Sequence, residues 1–236
     1  GSLAPLAGAP AIKGATGPDP GLVAVAERYA RDRGITFTRQ PRYVEVDEAF
    51  ARRLAAAYEA MPHAPQDPRV RAAYEDLIRQ TRAQYDALVA AGYEFTFFDD
   101  ATDPYQGNPW NAMRDLRANR RMAVYGTYAG FGTDGITTGA VADNPLLADT
   151  GIEWADQDGV LHPVTANDLF RAVHDAFGHG LEGAGFRAQG EENAWQAHAR
   201  LFTGPALAAL TSETRGQNSW LNYGPYGEQN RTAKVE

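Results

Sequence analysis

The chain has 236 residues and no cysteine. That absence removes a disulfide scaffold, a thiolate zinc or iron–sulfur centre and a cysteine nucleophile in one step. The fold must therefore stand on a buried core, and a chain of this length buries roughly 70% of its unfolded surface. Any metal must be held by His, Asp, Glu and water. Histidine is scarce, with five in all, so where the histidines fall carries information.

Residues 1–20 are rich in Ala, Gly and Pro without periodicity and read as an extended N-terminal arm. From 21 to 236 no domain boundary or repeat is evident, and the expectation is one catalytic domain. Helices are expected over 21–33, 48–60, 68 to about 91, 110–120, 167–177, 191–202 and 205–214. Asp19, Asp47 and Asp67 serve as caps, and Gly34 and Gly92 as stops. Short strands are expected at 35–39, 43–46, 93–98 and 122–127. Residues 128–159 read as a glycine-rich, anchored loop. The fold class is α+β, mainly helical, with a helical core carrying the chemistry.

The formal net charge of −8 opposes nucleic-acid binding by bulk electrostatics. Of the 22 basic residues only Lys13 and Lys234 are lysine. No apolar run is long enough to span a bilayer. No signal-peptide pattern follows the Gly1-Ser2 start, so a cytoplasmic location is expected. Residues 128–135 lack the spacing of a phosphate-binding loop, and no Gly-x-Ser-x-Gly elbow occurs. Asp99-Asp100 reads as a strand-end turn.

Three of the five histidines, His174, His179 and His198, lie within 25 residues, accompanied by Asp175, Glu182, Glu191, Glu192 and Glu213. His174 and His179 are five apart, about 140° round an ideal α-helix. They can meet only where the helix distorts or ends, which Gly178 permits. Glu191, Trp195 and His198 share a face at i, i+4, i+7. On the last helix Ala206, Leu210 and Glu213 form a stripe that ends in a carboxylate. So many inward ionisable groups are costly to bury unless something pairs them, and a divalent cation does so. Two imidazoles and a carboxylate suit Fe(II) with open positions. The same set suits zinc, or manganese as a further alternative.

His-Asp-Ala-Phe-Gly-His (174–179) resembles the His-Glu-x-x-Gly-His motif of the aromatic amino acid hydroxylases, which are non-haem iron monooxygenases. The resemblance covers about 40 residues and implies an iron triad of His174, His179 and Glu213. Asp175 stands in place of the motif glutamate, and the proline after the second histidine is absent. Nothing matches a pterin site, so the organic cofactor stays open. The segments 190–195 and 213–220 also resemble an uncharacterised group of bacterial and phage proteins.

These residues imply a metal-dependent oxygenase, an oxidoreductase acting on a small aromatic or amino-acid-like substrate with O2. His174, His179, Glu213 and His198 are the candidate metal ligands, and Glu191 is expected to orient a ligating imidazole. Glu192, Asp175 and Arg215 are the candidate catalytic residues. Arg215, Trp195, Gln217, Asn218, Trp220 and Tyr223 are the expected substrate contacts. A metal-dependent hydrolase is the alternative, since His174-Asp175 is also the dyad of the HD-type phosphohydrolases. That family's upstream histidine has only His63 and His162 to draw on. A non-catalytic binding or virion-associated protein is the third reading.

Overall fold

The computed structural model describes residues 17–39, 52, 67–128, 140–141 and 144–210. Within them the fold is α+β and mainly helical, with two small two-stranded sheets. The chain divides into two compact units, one of residues 64–175 and one of residues 1–63 with 176–236. The division falls one residue after His174, inside a continuous helical run.

In the unit of residues 64–175, helix α2 (Pro68–Ala90) starts at Asp67, whose carboxylate accepts from the Arg69 amide, and has proline in its first turn. It stops at Gly92, where φ is +93°. There Gly92 N–H donates to Val89 O and Tyr93 N–H to Leu88 O, the paired bonds of a Schellman end. Strands β1 (Glu94–Phe98) and β2 (Arg121–Tyr125) pair in parallel, with helix α3 (Pro109–Asn119) as the crossover. Helix α4 (Ala166–His174) packs along α2. Leu77, Leu88, Met122, Leu169 and Val173 fill the core.

Two expectations are corrected here. Residues 149–155 are not loop but strand β3 (Asp149–Ala155), paired antiparallel with β4 (Leu161–Thr165). Its residues do alternate, with Thr150, Ile152 and Trp154 on the covered side, but only Trp154 is fully buried, Gly151 sits at φ +80°, and the register with β4 is irregular between Asp149 and Glu153. Trp154 lies so close to Gly126 that a Cβ there would stand 2.6 Å from the indole. Residues 35–39 adopt no strand. They leave helix α1 (Pro20–Asp32) through a second Schellman end, with Ile35 N–H to Ala30 O and Gly34 N–H to Arg31 O. Side-chain contacts then hold them in place of a ladder.

In the other unit, Asp19 caps α1 through the amides of Gly21 and Leu22. Its own amide donates to Leu181 O, which ties α1 to the segment beyond His179. Helices α5 (Ala188–Ala199) and α6 (Ala206–Leu210) follow. The helix expected at 48–60, except Arg52, the strand at 43–46 and residues 1–16 of the arm lie outside the described residues.

Candidate metal centre

The site begins with the helix that carries it. Thr165 and Asp168 form a capping box at the start of α4: Asp168 N–H donates to Thr165 Oγ1, and Thr165 N–H to Asp168 Oδ2. The other oxygen of the buried Asp168 accepts from the Thr127 amide at 2.7 Å and its hydroxyl at 2.6 Å. The acid is thereby satisfied without a cation, and α4 is fixed at its start. At its end the His174 ring lies parallel to Phe170, with centroids 5.9 Å apart.

The chain then makes a π-helical turn, Asp175–Gly180. Hydrogen bonding from i to i+5 widens the turn, so residues five apart stand closer in angle than on an α-helix. This answers the 140° problem posed by an α-helix. His174 immediately precedes the distortion and His179 lies in its last part, and the two converge.

His179 is 2% exposed and its tautomer is set by its surroundings. Its Nδ1 faces Ala184 O at 3.1 Å, and a carbonyl can only accept, so Nδ1 carries the hydrogen. The His179 carbonyl in turn accepts from the amides of Gly183 and Ala184. The ring stacks on Phe186 with centroids 4.4 Å apart. Its Nε2 lies 3.3 Å from Glu191 Oε2. A neutral imidazole with its hydrogen on Nδ1 presents a lone pair there, and so does a carboxylate. Two acceptors that face each other require a proton or a cation between them.

Glu191 comes from the first turn of α5, where the helix dipole favours negative charge. Its placement depends on a backbone contact: a Cβ on Gly190 would stand 2.1 Å from the Gly185 carbonyl oxygen. Only glycine lets α5 approach the 181–187 segment this closely.

One ligand atom from each of His174, His179 and Glu191 lies within 4.8 Å of the others. Ligands about 2.1 Å from a common ion stand at most about 4.2 Å apart, so small side-chain rotations bring all three onto one cation. Two nitrogens and one carboxylate oxygen, without sulfur, fit a borderline divalent metal.

His198 stands apart from this trio. It is wholly buried, edge-on to Phe202 at 4.8 Å and tilted against Phe177. Burial, and next the repulsion that a protonated His179 would exert, push its pKa down to about 3, so it is a neutral imidazole. Glu192 is half-buried and accepts from Gln196 Nε2 at 3.3 Å. Asp175 opens the π turn, half-buried, and Trp195 is half-buried on α5. Glu213, Arg215, Gln217, Asn218, Trp220 and Tyr223 lie outside the described residues.

Sequence reasoning missed the ligand position of Glu191, the Ala184 carbonyl and the Gly185–Gly190 contact. The available signal was the glycine pair five residues apart just before two glutamates in a first turn. No family model, curated protein or solved structure matches the chain.

Proposed function

We propose that this chain is a mononuclear non-haem iron monooxygenase acting on a small aromatic or amino-acid-like substrate. The supporting observation is the convergence of His174, His179 and Glu191. Bound by these three, Fe(II) would supply dioxygen activation, with its remaining positions open to oxygen and substrate. The chain's own groups prepare that place. Ala184 O holds the His179 tautomer with Nε2 facing inward. Phe170 and Phe186 stack on the two imidazoles and restrict their rotation. The neutral His198 adds no positive charge beside His179.

The carboxylate assigned here is Glu191, where the hydroxylase resemblance implied Glu213. The test is elemental analysis of protein purified without chelator, together with oxygen consumption over a panel of aromatic amino acids. About one equivalent of iron, lost in His174→Ala, His179→Ala and Glu191→Gln, supports the reading. Zinc or manganese with oxygen-independent hydrolysis would transfer the site to the hydrolase reading. No bound metal, with melting unchanged by the histidine substitutions, overturns both.

A further inference from the structure

The 181–187 segment touches both halves of the ligand pair within its own unit. Ala184 O receives the His179 imidazole, Phe186 stacks on that ring, and Gly185 seats Gly190 beside Glu191. At the head of this segment is Glu182, whose side chain is 0% exposed. Its carboxylate is gripped by Arg39 in a two-pronged pair, Nε to Oε1 at 2.8 Å and Nη2 to Oε2 at 2.9 Å. The strip that carries Arg39 is anchored a second time, where Arg200 Nη1 donates to Thr38 O at 2.7 Å. Arg200 is the C-cap of α5, the helix that begins beside Glu191. The strip 35–39 thus fastens the 181–187 segment at one end and α5 at the other.

We infer that Arg39 is a positioning residue for the metal centre: its pair with Glu182 holds the 181–187 segment in the shape that orients His179 and seats Glu191. The inference rests on the metal reading for its coordinating role. It needs the fork of an arginine rather than a positive charge alone, because both carboxylate oxygens are engaged at once.

Removing Arg39 by itself leaves a buried, unpaired carboxylate, and Arg39→Met can fail to fold for that reason alone. The deciding variant is therefore Arg39→Met with Glu182→Met, which removes both charges at similar volume, with Arg39→Lys beside it. Two measurements are made on the full chain: ¹⁵N imidazole shifts of His179 in metal-free protein, and Co(II) titration followed by visible absorbance. Wild type should show the Nδ1–H tautomer. The double variant should show a tautomer mixture, Co(II) affinity lower by about ten-fold or more, and an altered Co(II) band. Arg39→Lys should fall between. A double variant that folds and keeps both the tautomer and the affinity overturns the inference. A wild type that takes up no Co(II) overturns the metal reading and with it the coordinating role of Arg39. The tautomer signal then still decides whether the pair shapes the segment.

Discussion

A methyl group at Gly190 has nowhere to go but into the Gly185 carbonyl, 2.1 Å away. Gly190→Ala should cost about 1–3 kcal/mol, the usual penalty of overpacking. It should also move Glu191 off the site, so a thermal melt and a metal titration should both register it. His198 makes a different prediction. An unfolded chain protonates this histidine below about pH 6.5, while the folded chain refuses the proton down to about 3. Between those values the unfolded state binds more protons, so stability rises with pH there. The contribution is complete above about 6.5 and is lost as pH falls toward 3. Denaturant unfolding of metal-free protein should show this slope, and His198→Gln should flatten it. His174 and His179 were legible at this scale because histidine is rare and the two flank a glycine. Glu191 was read as sharing a helix face with Trp195 and His198 and as orienting a ligating imidazole. Its reach to His179 comes with the close backbone contact of Gly190 on Gly185, five residues earlier, which no helical spacing encodes.

Helix starts and stops were the most legible elements, since Asp19, Asp67, Gly34 and Gly92 act through local bonds alone. The hairpin of β3 and β4 was not legible, because β3 has a single fully buried residue, Trp154, and the pairing register is irregular. Nor was the π turn, whose sequence reads as the end of an ordinary amphipathic helix. A single hydroxyl bridges α3 and β2. Tyr105 donates to Asp115 Oδ2 at 2.7 Å and accepts from the Ala123 amide of β2 at 2.8 Å. Burial, and then the bond to Asp115, push its pKa up to about 12. Burial would raise Asp115 as well, but bonds from Tyr105, Asn119 and Arg121 outweigh it and hold that carboxyl below its usual range. Tyr105→Phe should therefore cost about 1–3 kcal/mol through the groups left unpaired. Chemical denaturation should show a lower midpoint with an unchanged slope.

At the scale of the molecule, the α+β, mainly helical class followed from composition and spacing, while the division into two units did not. Ligand that binds only the folded state stabilises it by about 2.7 kcal/mol at a hundred times its dissociation constant. Saturating Fe(II) or Co(II) should accordingly raise the melting temperature by several degrees, and chelator should reverse the rise. Glu191→Gln should show neither effect, and slower amide exchange on metal addition should concentrate in residues 174–191. The Gly185–Gly190 contact also reaches beyond this chain. It turns a loose pairing of two histidines and a later acid into a spelling, His-x4-His-x10-Gly-Glu, in which the glycine is as necessary to the geometry as the three candidate ligands. A genome searched with that spelling would separate chains that can close this loop from those that only share its histidines.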